Sequence, residues 1–237
     1  MPYAGCRKGD TDIADSSQTI TVVIKFGISG RLRFLSHAET MTLFQRVCVR
    51  AGINLRYSQG FNPRPKLSLA LPRPVGVESD DEIAALSVTG EGESFNSRQF
   101  ASNLCGQLPE GIKILSALPT PTKRAPVATA ATYVLQVQPK YIRKELMDRI
   151  AQLMEADTLN LDRVVNQRGG VRKVDVRGFL KSIEMQAERI SVECEISNAG
   201  TIRVEEILQL LQLDISKLAA PIRRVNVRWR GQFVTNN

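Results

Sequence analysis

Hydrophobic positions along the first part of the chain change period several times. Ile20, Val22, Ile24 and Phe26 fall on one face of a two-residue repeat, the signature of a strand over residues 19–26. Gly27 and Gly30 bracket a turn, and residues 31–35 read as a second short strand. Ser36, His37, Ala38 and Glu39 then have the spacing of a capping box, in which the Ser36 hydroxyl accepts from the Glu39 N–H and the Glu39 carboxylate accepts from Ser36. Met41, Phe44, Val47, Cys48 and Ala51 recur at three- and four-residue intervals, which predicts a helix that stops at Gly52. Residues 53–58 and 83–88 read as strands, residues 100–108 as a second helix closed by Pro109 and Gly111, and residues 112–118 as a closing strand.

Residues 119–131 carry three prolines and no period, so they read as a linker. Beyond it the order repeats: a strand over 133–137, a helix marked by Ile142, Leu146, Ile150 and Leu153, an extended stretch over 161–165, a hairpin turning at Ala187 and Glu188, a helix over 207–211, and a strand over 225–229. Each half reads approximately β-α-β-β-α-β. The expected class is therefore α+β, two ferredoxin-like (βαββαβ) halves with antiparallel sheets. They span residues 19–118 and 132–237, behind a tail over 1–18 that has no periodicity.

At 43 % hydrophobic and 24 % charged the chain has globular composition, and no apolar run reaches the ~20 residues that cross a bilayer. The acid-bearing residues 1–18 do not read as a signal peptide. Cys6, Cys48, Cys105 and Cys194 are too scattered for a metal-binding spacing, so no metal is expected, and the setting expected is a reducing cytoplasm.

Charge changes the picture more. The net charge is +8, and residues 20–76 alone hold nine Lys and Arg against the single acid Glu39. Such a lopsided segment favours a polyanionic partner. It includes a loop over 57–76 with four of the eleven prolines, in which Tyr57 and Phe61 stand beside Asn62, Arg64, Lys66 and Arg73. Stacking rings among cations on a stiffened loop is how single-stranded RNA is held. Arg31 and Arg33 add charge ahead of it, and His37, the sole histidine, is the only catalytic candidate of its type. In the second half, residues 167–173 read as a basic hairpin tip. Arg224, Asn226, Arg228 and Arg230 alternate with Val225, Val227 and Trp229, giving a strand with one basic face. Pairing with Glu193, Glu195 or Glu205 is the bland alternative for that face. No phosphate loop, nucleophile elbow or Cys–His set marks an enzyme class.

Several of these runs belong together. Residues 31–37, Gln45-Arg46, residues 50–53, 57–68 and 74–79, and the later runs 174–177 and 202–208, resemble the radical-SAM-linked domain family, a bacterial domain of unknown function fused to, or encoded beside, a radical SAM protein. That family usually has Ser-His-Leu-Asp where this chain has Ser36-His37-Ala38-Glu39, and often a histidine where this chain has Arg64. The resemblance implies a radical SAM protein as partner. With no Cys-x-x-x-Cys-x-x-Cys in this chain, the iron–sulfur cluster and S-adenosylmethionine would belong to that partner. The expectation is a non-catalytic module presenting tRNA or rRNA to that enzyme. Arg31, Arg33, Arg64, Lys66 and Arg73 would meet phosphates, Tyr57 and Phe61 would stack bases, and His37, Asn62, Arg228 and Arg230 would contribute. The rivals are a metal-independent ribonuclease or RNA-modifying enzyme using His37 with Tyr57 and Lys66, and a protein-interaction scaffold.

Overall fold

The computed structural model describes residues 18–90, 95–122, 125–164 and 170–231. The expected tail, the tip of the basic hairpin and its Arg168 lie outside these residues.

The chain is α+β. In the first half, β1 (Gln18–Ile28), α1 (His37–Arg50), β2 (Leu67–Leu69), β3 (Glu78–Gly90), α2 (Ser97–Cys105) and β4 (Ile112–Thr120) follow in turn. The second half has β5 (Val127–Gln136), α3 (Lys144–Glu155), the hairpin β6 (Asn160–Val164) and β7 (Val171–Asp175), then β8 (Leu180–Gln186), β9 (Arg189–Glu195), α4 (Val204–Leu210) and β10 (Arg223–Arg230). The strands line up as β4-β1-β3-β2 in one half and β10-β5-β9-β8 in the other. The halves were expected to carry separate antiparallel sheets. They share one instead, because β10 adds in parallel to the start of β3, Arg223 opposite Glu78 and Arg224 opposite Ser79.

Alternate residues of β1, from Ile20 to Ile28, pack under Phe44, Val47 and Cys48 of α1 and Phe100 and Leu104 of α2. Tyr133, Leu135, Ile190, Val192 and Cys194 do the same beneath α3 and α4. Burial pushes the thiols of Cys48 and Cys194 up to about 11 and about 12, so both behave as core residues. No described helix is long and apolar enough to cross a membrane.

Three local readings are corrected. Residues 30–34 form a 3-10 helix, not a strand. Residues 53–58 form no strand of their own, meeting β3 through an isolated bridge from Leu55 to Val88 and backbone hydrogen bonds at Asn54 and Arg56, and the second strand is β2, inside the proline-rich loop. Its one partner is β3, so the prolines flank an edge. Third, β4 and β5 extend to Thr120 and from Val127, so residues 119–131 supply strand as well as connection.

The cap at α1 is formed as the spacing predicts. The Ser36 hydroxyl accepts from the Glu39 N–H at 3.3 Å, while the Glu39 carboxylate accepts the Ser36 N–H at 2.8 Å and hydroxyl at 2.6 Å. The Ser36 hydroxyl and then its N–H hold the Glu39 carboxyl below the usual range. Asp175 is lowered by the N–H groups of Arg177 and Leu159, and Asp214 chiefly by the Ser216 hydroxyl. A carboxylate with a depressed folded-state pKa stabilises above its unfolded value of ~4, and that contribution is lost as the pH falls through the folded value. The thermal midpoint should therefore stay level between about pH 7 and pH 5 and decline below ~4. In Ser36→Ala it should be lower at neutral pH and decline less steeply in acid, which unfolding scans across pH will check.

Candidate functional site

The proline-rich loop leaves the sheet as a narrow hairpin. The Arg56 N–H donates to Ser87 at 2.8 Å, the Lys66 N–H to Arg56 at 2.7 Å, and the Ser87 N–H to Lys66 at 2.9 Å, which roots both arms on β3. Further out Tyr57 bridges Pro65, the Ser58 N–H meets the Arg64 carbonyl at 2.8 Å, and the Arg64 N–H returns to the Ser58 hydroxyl at 2.9 Å. Gln59, Gly60, Phe61, Asn62 and Pro63 form the tip, and Gly60 has φ +137°, a conformation that disfavours any side chain. This backbone holds the Phe61 side chain wholly in solvent, at 106 % of its reference exposure, and Tyr57 at 49 %. Asn62, Arg64 and Lys66 are exposed beside them, and neither cation is in an ion pair with a described residue. Five of the expected contact residues are thus brought together.

The others are not. Arg31, exposed, and Arg33, half-buried, sit on the 3-10 turn after Ile28, which pairs with Ser79, whereas the hairpin is rooted at Ser87. At ~3.3 Å per strand residue the two places lie roughly 25 Å apart along β3. Arg33 donates to the Gly30 carbonyl at 2.8 Å and rests 4.3 Å from the Phe34 ring centroid. Arg228 and Arg230 are exposed on β10, and Arg228 pairs with Glu193 at 2.8 Å, the bland alternative for that residue. The basic face also breaks earlier: a register shift between Arg224 and Asn226 turns Arg224 into the core.

Arg73 is corrected outright. It is only 9 % exposed, and its guanidinium donates to the carbonyls of Arg33 and Val77, both at 2.6 Å, Leu35 at 2.8 Å, Pro74 at 3.2 Å and Leu32 at 3.4 Å. It fastens the 3-10 turn to the stretch before β3 and has no surface from which to meet phosphate. Burial pulls its pKa below the ordinary arginine value, with Glu82 opposing and Arg224 reinforcing.

His37 also faces inward. Its Nδ1 is buried without a hydrogen-bond partner among the described residues, in a space of about 10 Å³ lined by Phe26, Leu35, Thr40, Leu69, Leu71, Arg73 and Glu82. Glu82 lies five residues along β3 from Ser87, roughly 16 Å from the root of the hairpin. The trio His37, Tyr57 and Lys66 required by the nuclease reading is not assembled.

Two groups escaped the sequence reading. One is the buried polar seam where the halves meet. Arg224, 1 % exposed, donates through Nε to the 4 % exposed Glu82 at 3.1 Å and bonds the Tyr133 hydroxyl. Burial opposes its charge, and Glu82 and Tyr133 more than offset that, so its pKa stands above the ordinary arginine value. Alongside, Asp81 accepts from Trp229 Nε1 at 2.9 Å and the Val227 N–H at 3.1 Å, with Lys25 at 3.4 Å. The other group is a set of cations around Tyr141 in the second half. The adjacent pair Lys140-Tyr141 was their only local signal. Among the described residues no three His, Cys, Asp or Glu side chains gather as metal ligands would.

Fold and surface together define an α+β protein of two halves in one sheet, with a stiffened aromatic and basic hairpin standing off its first half. The chain belongs to the family described as an uncharacterized protein conserved in bacteria (DUF2344), whose profile matches residues 21–208. No curated protein matches it. Among solved structures, an unknown protein from Galdieria sulphuraria aligns with 82 % of this chain and 89 % of its own, at 10 % identity and a TM-score of 0.25, too low a likeness to carry any argument.

Proposed function

We propose that the chain is an RNA-binding accessory module that holds single-stranded RNA on the hairpin 56–66 and presents it to a separate radical SAM enzyme. The observation that carries this reading is Phe61. A phenylalanine fully in water, on a tip held by Pro63, Pro65 and the Ser58–Arg64 bonds, stabilises nothing in its own fold. Beside two cations without a described carboxylate partner it supplies a stacking face next to phosphate contacts. The tip is already shaped, so little loop entropy is lost on binding. Binding is favoured over RNA cleavage because the only histidine has its Nδ1 buried beside Glu82, roughly 16 Å along β3 from the root of the hairpin. The radical SAM partner enters from the sequence resemblance alone. The iron–sulfur cluster and S-adenosylmethionine would be held there and not on this chain.

The test is fluorescence anisotropy with labelled tRNA and rRNA fragments at increasing salt. Affinity should fall linearly on a double-logarithmic plot, and Arg64→Ala with Lys66→Ala should reduce the slope by about 1.4, the value for two phosphate contacts on a single strand. No binding, or binding indifferent to salt, overturns the proposal. Affinity purification from cells with and without nuclease treatment tests for the enzyme partner, and its absence in both arms rejects the presenting role.

A further inference from the structure

In the second half a groove of about 460 Å³ lies between the start of α3 and the segment that follows α4. Arg143, Arg149 and Lys217 line it with a single carboxylate, Glu145, and with Leu146, Leu211, Leu213 and Tyr141. Both guanidinium groups are oriented in advance. Arg149 Nε donates to the Leu210 carbonyl at 2.8 Å and Arg143 Nε to the Lys140 carbonyl at 3.3 Å, while their terminal nitrogens have no partner among the described residues. Lys217 is held by the Gln212 carbonyl at 3.1 Å and by Asp214 at 3.7 Å. Its ammonium lies 5.9 Å from the Tyr141 ring centroid, and that of Lys140 lies 4.9 Å from it. Lys140 and Lys217 lie by one ring and Arg143 and Arg149 line the same groove, so the cations repel each other beyond what Glu145 and Asp214 offset, and an anion between them relieves that repulsion.

The first half supplies an internal comparison. There a groove of about 630 Å³ runs between α1 and the segment after α2, and Arg50 donates to the Gln107 carbonyl at 2.9 Å through a terminal nitrogen, where Arg149 uses Nε toward Leu210. It holds Arg46 and Arg50 with Glu39, but no aromatic ring and no lysine. The additions in the second half therefore do not follow from packing two such halves.

We infer that the groove of the second half binds the phosphate of a nucleotide. Paired guanidinium forks match phosphate oxygens bidentately, Lys217 adds a point charge, and the partly exposed Tyr141 and Leu213, packed over the buried Leu146 and Leu211, take the apolar side of the attached nucleoside. A free nucleotide and one within an RNA strand present the same phosphate chemistry, and the titration below tells them apart. This inference stands on residues remote in sequence from the hairpin 56–66, so Phe61→Ala should leave it intact.

The test is a methyl NMR titration of the full chain with inorganic phosphate, AMP, UMP and a short RNA without a terminal phosphate. A nucleotide should shift the methyl signals of Leu146, Leu211 and Leu213 saturably and leave those of Leu43 and Leu108 in the other groove unmoved. Arg143→Gln and, separately, Lys217→Gln should weaken binding about tenfold with unchanged thermal unfolding. Tighter binding of AMP or UMP identifies a free nucleotide, and tighter binding of the RNA identifies a strand. No saturable shift up to ~10 mM of any probe, or no effect of either substitution, overturns the inference. So does inorganic phosphate binding as tightly as AMP while the leucine methyls stay silent, which would make the groove an anion patch only.

Discussion

Replacing Glu82 by alanine should lower the unfolding free energy by about 3–5 kcal/mol, the cost of leaving a buried charge without its partner. For a chain of this size that is a fall of roughly 10 °C in the thermal midpoint. Arg224 is 1 % exposed and its guanidinium is closed in by Glu82, Tyr133 and the Pro72 carbonyl, so it cannot turn to water when the carboxylate goes. The loss falls where the halves join, since Glu82 is on β3 and Arg224 on β10. Denaturant unfolding should show the midpoint dropping in Glu82→Ala. The double variant Glu82→Leu with Arg224→Met should recover much of it, because an apolar pair of similar volume carries no unpaired charge. A single variant within about 1 kcal/mol of the parent would show that the seam is not what joins the halves.

The second large effect is functional and leaves stability alone. Phe61→Ala should weaken single-stranded RNA binding by about 10- to 100-fold, in line with the ~1–3 kcal/mol measured for one base stacked on an aromatic ring. The thermal midpoint should stay put, since the side chain is wholly exposed. Tyr57→Ala should act in the same direction with a smaller loss, its ring being half-covered already. Anisotropy with one RNA at fixed salt measures both. Unchanged affinity in Phe61→Ala, with binding itself intact, removes the stacking role and with it the reason to place RNA on this hairpin.

The two predictions separate what local pattern reveals from what it hides. The hairpin could be found because its signals are local: prolines at 63 and 65, a glycine at 60, and rings and cations within ten residues. The cap at Ser36 was equally open to reading, because both its bonds close within four residues. The strand β3 was seen only from residue 83 onward. Glu78, Asp80, Asp81 and Glu82 have no apolar alternation to mark them, yet they begin the strand. Two of these acids lie in the core because Arg224, Val227 and Trp229 meet them from more than 140 positions away. Arg73 was misplaced for the same kind of reason. A cation among prolines resembles a phosphate contact until its carbonyl partners, most of them some 40 residues earlier, are brought round it.

Hydrophobic period, caps and turn residues were enough to establish an α+β chain in two halves, the first of them β-α-β-β-α-β and the second with the extra hairpin β6–β7, and to mark the exposed aromatic loop, since those features depend on neighbours a few residues away. Only the tertiary structure decided that the halves share one sheet, which arginines are buried and which face water, and that His37 points inward. Those outcomes depend on which distant charges and carbonyls meet in the low-dielectric interior, where an ion is kept only beside its partner.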